Sequence, residues 1–150
     1  HDTPLEDGPT DMDVQRRLLL WLANAPNETC VGTWAVGATQ RAVGLRTDPT
    51  ATIQVLWKPT IESREELAQI RIERTPLCGG RSGTAELARV IQLEYVQLTE
   101  RRGTDIYSPA HKLRLENDAA YCVQHTLLQT QGPQDAASDP PHVRCDSSNA

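Results

Sequence analysis

The sequence predicts an α+β fold, with antiparallel strands packed around a central helix at about 118–131 and a second helix at about 11–24. Three observations carry that expectation. One segment near each end repeats apolar residues at helical intervals. The segments between them alternate apolar and polar residues with the period of a strand, and Arg101-Arg102-Gly103-Thr104 has the composition of a hairpin turn. A length of 150 residues suits one domain with a single core.

Taken in order, His1 to Thr10 hold two Pro, a Gly and three acids and read as a loose leader. Thr10 and Asp13 have capping-box spacing, and Val14, Leu18, Trp21 or Leu22, and Ala25 follow at helical steps until Pro26. Ile53, Val55 and Trp57 alternate with Gln54, Leu56 and Lys58, which predicts a strand ended by Pro59. A second strand is predicted where Ala68, Ile70 and Ile72 alternate with Gln69, Arg71 and Glu73, and Cys78 to Gly83 read as a Gly-rich loop. Residues 86–100 fit either a helical stripe (Leu87, Ile91, Tyr95, Leu98) or an alternating strand (Ile91, Leu93, Tyr95); the hairpin turn that follows favours the strand. Leu113 and Leu115 predict another short strand. Asn117 or Asp118 caps the last helix, whose face is Ala119, Val123 and Leu127, and Gly132-Pro133 ends it. The domain layout expected is a leader over 1–10, one domain over 11–132 and a loosely tethered tail over 133–150, rich in Pro, Asp, Ser, Gln and Ala.

Composition excludes several function classes. Net charge is −5 and only Lys58 and Lys112 are lysines, so neither extensive RNA contact nor a polybasic membrane patch is expected. The longest apolar run, Leu18 to Ala23, is far short of the roughly 20 residues that span a bilayer. Partners are therefore expected to be other proteins. Four cysteines, Cys30, Cys78, Cys122 and Cys145, form no Cys-x-x-Cys knuckle, which argues against a structural zinc site. Asn27-Glu28-Thr29 fits a glycosylation acceptor and equally a chance triplet. His1, His111 and His142 are scattered, and no P-loop, dinucleotide fingerprint or serine elbow is present.

Three segments, in order, resemble the signatures of peptide deformylases. Thr33 to Gln40 matches G-x-G-L-A-A-[PT]-Q at Ala38, Thr39 and Gln40; Pro76-Leu77-Cys78-Gly79-Gly80 keeps the cysteine of E-G-C-L-S; and Gln124, His125 and Gly132 match Q-H-E-x-D-H-L-x-G. Lys58-Pro59 stands where the family has an Asn-Pro step. Gly32-Thr33-Trp34 also resembles the G-x-W of lipocalins, without a second signature. The deformylase resemblance implies the fold described above, with its likeness running over residues 11–132.

In that family a cysteine thiolate and two helix histidines at i and i+4 hold a divalent metal, and a Glu beside the first His is general base to the metal-bound water. Carried over, Cys78 and His125 match ligands, but the second His is Gln129 and the Glu is Thr126. An amide is a poor transition-metal ligand, and a threonine takes no proton near neutral pH. Gln40 and the N–H of Gly79 match the oxyanion donors. The resemblance also brings Cys122, one helical turn before His125, near Cys78, which implies a Cys78–Cys122 disulfide in place of the metal. The expectation is an inactive deformylase-like protein with the family metal lost and no cofactor. It would act as a structural or interaction component in an organellar translation setting such as a mitochondrial ribosome. Two alternatives stand beside it: a residual metal hydrolase of formylated peptides with an altered ligand set, and an extracellular disulfide-stapled recognition domain. Bland roles for Cys78 as an ordinary thiol and His125 as a packed helix histidine also remain open.

Overall fold

The computed structural model describes residues 8–47, 50, 52–131 and 143–147. Residues 1–7, with His1, and residues 132–142, with Gly132, Pro133 and His142, lie outside the described residues. Helix α1 (Asp11–Ala23) begins as its sequence predicts: the Thr10 side chain accepts from the Asp13 N–H at 3.1 Å, and Asp11 and Asp13 sit at the positive helix end. Met12, Val14, Leu18 and Leu22 form its buried face.

Six strands form one antiparallel sheet: β1 (Cys30–Gly32), β2 (Ala42–Leu45), β3 (Gln54–Ile72), β4 (Gly83–Arg101), β5 (Thr104–Glu116) and β6 (Val143–Cys145). Their order is β1-β2-β3-β4-β5, and β6 pairs with the start of β4. The helices cover opposite faces. On β2 and β3, Ala42, Val55 and Trp57 pack with α1, whereas Val43, Leu45 and Leu56 pack with α2 (Asn117–Gln131). Burial on both faces explains why every residue of β2 is buried. Gly44 suits this close packing, since a Cβ would meet Leu22 Cδ1 at 3.0 Å and Val31 Cγ1 at 3.1 Å, and both side chains would have to shift.

The strand reading of residues 86–100 is correct, and Arg102 (φ 54°) with Gly103 (φ 77°) makes the predicted two-residue hairpin turn. Two expectations change. Pro59 does not end its strand: it sits where the β3–β4 register shifts between Trp57 and Thr60, next to Lys58 at φ 49°. A bulge frees the position from donating to the ladder, so proline is tolerated and the two predicted strands are one. The short strand at Leu113 and Leu115 is likewise the end of β5, which passes Pro109-Ala110 at a second register shift, with Ala110 at φ 67°.

The folded unit also extends past residue 132. Residues 143–145 are a strand, paired through Gly83↔Cys145 and Ala85↔Val143, where composition predicted a loose tail. The Ser82 hydroxyl donates to Asp146, and Arg71 pairs with the same carboxylate at 3.0 Å. Ser82 first, and then Arg71, holds the Asp146 pKa below its ordinary value.

Two buried polar side chains complete the frame. The Arg46 guanidinium donates to the carbonyls of Leu22 (2.6 Å), Ala25 (2.9 Å) and Glu28 (2.9 Å), supplying the cation that the last turn of α1 lacks. Between β6 and β5, no strand among the described residues runs along one edge of β4 at Ala88. Gln124 replaces it: its Oε1 accepts from the Ala88 N–H at 3.0 Å and its Nε2 donates to the Ala88 carbonyl at 2.8 Å.

Candidate functional site

The residues singled out by the sequence lie on α2 and on the turn between β3 and β4, a 3-10 turn over Pro76–Cys78. Thr75 opens that turn, its hydroxyl oxygen accepting from the Leu77 N–H at 3.2 Å. The same Thr75 oxygen lies 2.9 Å from Nε2 of His125, which joins turn and helix. Gln129, one helical turn on, donates from Nε2 to Nε2 of His125 at 3.2 Å. Its carbonyl end accepts from the Trp34 indole N–H at 2.7 Å, which orients the amide. An amide donor aimed at Nε2 suits a lone pair there, as in a neutral imidazole with its proton on Nδ1. Burial acts in the same direction and lowers the His125 pKa.

The cysteines correct the expected disulfide. Cys78 is bonded to Cys145, and Cys122 to Cys30. The reason is the direction each side chain takes. Cys122 lies on the α2 surface that packs against β1, together with Thr126, whose hydroxyl is 3.3 Å from Cys30 Sγ. Cys78 instead lies under the start of β4 beside β6. Gly83 opens the space: a Cβ there would fall 3.1 Å from Cys78 Sγ and 2.9 Å from the Arg144 carbonyl.

The remaining candidates are not brought together. Thr126 is buried toward β1, with a methyl that would lie 2.9 Å from any Cβ at Gly32. The Gln40 amide donates to the Pro9 carbonyl at 2.8 Å, at the start of α1. The Gly79 N–H donates to the Pro76 carbonyl at 3.1 Å, so it closes its own turn. Asn27 lies exposed in the turn after α1. Beside His125 a shallow groove of about 370 Å³ runs between α2 and the sheet, lined by Ile70, Ile72, Leu87 and Tyr121 among others.

The donor set does not fit the metal that the sequence resemblance implies. Cys78 has no thiolate to give, Gln129 presents its NH₂ to His125, and His125 is a single imidazole whose Nε2 lone pair is engaged. Among the described residues, no group of three His, Cys, Asp or Glu side chains is placed to hold an ion. Sequence reasoning missed Cys145, Thr75 and Trp34. An even cysteine count was the available signal for the first; nothing marked the other two.

No protein-family model matches the sequence, and no curated protein sequence matches it significantly. Solved structures do match, and they define a class: the fold is that of peptide deformylases. The peptide deformylase from Thermus thermophilus superposes with a TM-score of 0.57 at 21% identity, over 83% of this chain and 71% of that one. The Legionella pneumophila enzyme gives 0.55 at 14%, over 77% and 63%. A K1U-bound class I type b peptide deformylase from Acinetobacter baumannii gives 0.53 at 16%, over 89% and 84%. The chain thus spans under two thirds of the Legionella protein's length. At these identities the likeness is one of fold.

Proposed function

We propose that this chain uses a deformylase fold without deformylase chemistry, as a structural or protein-recognition component. One observation carries the reading: Cys78, the residue that resembles a thiolate ligand, is bonded to Cys145. The neighbouring Gln129–His125–Thr75 hydrogen bonds support it, because they suit a neutral imidazole held in place better than a base or ligand awaiting substrate. Thr126, in the place of the family's carboxylate, has no proton-accepting role near neutral pH.

Two disulfides favour an oxidising compartment, and exposed Asn27 suits the same setting. This supports the extracellular reading over an organellar ribosome, for which the sequence resemblance remains the only support. The test is formyl-peptide hydrolysis by the oxidised, purified protein supplied with zinc, nickel or cobalt. No turnover above buffer is expected, with well under one equivalent of metal retained after dialysis. Metal-dependent turnover that His125→Ala abolishes would overturn the reading. Secretion from a eukaryotic host with a glycan lost in Asn27→Gln would support the compartment; a non-glycosylated chain with four free thiols would refute it.

A further inference from the structure

We propose that Arg41, Arg64 and Thr60 form a binding site for a small oxyanionic group, a phosphoryl or carboxylate, on the face of the sheet that α2 covers. The three residues line a pocket of about 220 Å³ whose floor and wall include Gln124, Leu127 and Leu128 of α2, and among the described residues no carboxylate lines it. The backbone places them there. Arg64 stands opposite Ile91 in the β3–β4 ladder, and Ile91 packs in the α2 cluster, so Arg64 projects onto the α2 face. The register shift at Pro59 sets Thr60 beside it, and Arg41 precedes β2, anchored by one Nη that donates to the Pro59 carbonyl at 2.6 Å.

Most of the other guanidinium groups are already engaged. Arg16, Arg71, Arg89 and Arg114 each meet a carboxylate, and Arg46 meets three carbonyls. Arg64, like the exposed Arg74, Arg101 and Arg102, makes no ion pair with a described residue; its place in the pocket beside Arg41 and Thr60 sets it apart. Neighbouring atoms lower its pKa, while the side chain as a whole stays exposed and open to a ligand from solvent. Two guanidinium forks and a hydroxyl converging on one space match the acceptor geometry of an oxyanion. The volume is below the ~300–1,000 Å³ of pockets that enclose whole drug-sized ligands. It suits an anionic group rather than a complete organic molecule.

The test is thermal unfolding of the full oxidised chain in 20 mM inorganic phosphate, and separately in 20 mM acetate, each against sodium chloride at equal ionic strength. Binding to the native state raises Tm by mass action, here by about 2 °C or more for millimolar affinity. The rise is expected in the wild type and lost in Arg64→Gln and Arg41→Gln. Phosphate alone raising Tm assigns a phosphoryl group; a rise with acetate assigns a carboxylate. Amide chemical-shift changes on phosphate titration should centre on Thr60 and Arg64. Absence of any rise in the wild type, or an equal rise in Arg64→Gln, overturns the proposal.

Discussion

The Gln129 side-chain amide donates to Nε2 of His125 at 3.2 Å, while its other end is fixed by the Trp34 indole N–H. Protonation of His125 would point two donors at each other, and the amide cannot turn without facing Trp34 with an N–H. The imidazole is therefore held neutral by packing and by hydrogen-bond direction together.

A pH dependence follows. Burial lowers the His125 pKa in the folded state, so the unfolded chain takes up its proton first as pH falls. The stability linked to this group is complete above the unfolded-state pKa of about 6.5 and is lost as pH falls from there through the lowered folded value. Relative to His125→Asn, the wild type should lose Tm more steeply between pH 7 and pH 5. Parallel Tm profiles would contradict this.

Arg46→Ala should destabilise by about 2–4 kcal/mol, measured by urea unfolding, because three carbonyls lose a charged donor and one of them, Leu22, lies in the last turn of α1. Arg46→Lys should recover part of this. Lysine keeps the cation but not the planar fork that spans several acceptors.

Gln124→Leu should cost about 2–4 kcal/mol despite its similar size, since the Ala88 N–H and carbonyl would be buried unpaired. Hydrogen exchange gives a local readout: the Ala88 amide should lose protection in this variant more than its neighbours in β4 do.

The two disulfides span 92 and 67 residues, and chain entropy assigns each about 4–5 kcal/mol. Their local effects should differ. Cys30→Ala with Cys122→Ala releases β1 from α2 and should lower global stability. Cys78→Ala with Cys145→Ala should chiefly free β6, read as faster exchange at Thr84, whose N–H faces β6, with α2 unchanged.

Both helices were legible because a cap, a 3.6-residue period and a polar or proline boundary agree at the same positions, as Thr10, Leu18 and Pro26 do for α1. The long strands were legible only in part. Pro59 read as a break and the strand at Leu113 and Leu115 as a short one, whereas Pro59 and Pro109 each sit at a bulge whose register depends on the neighbouring strand. β1 and β2 were missed, because Cys30–Gly32 and Ala42–Leu45 are too short to show a period and are buried on both faces or nearly so. Four cysteines allow three pairings. Choosing among them required the direction of Cys122 on α2 and the gap above Gly83, which are tertiary facts. Cys78, His125 and Gln129 could be named from motifs, but Thr75 and the bond between Cys78 and the C-terminal strand could not.

Peptide mapping of the unreduced protein tests the account most directly. After blocking of free thiols, Cys78 should be recovered linked to Cys145 and Cys30 linked to Cys122. Recovery of Cys78 as a blocked free thiol from protein that still holds a stoichiometric metal ion would contradict it.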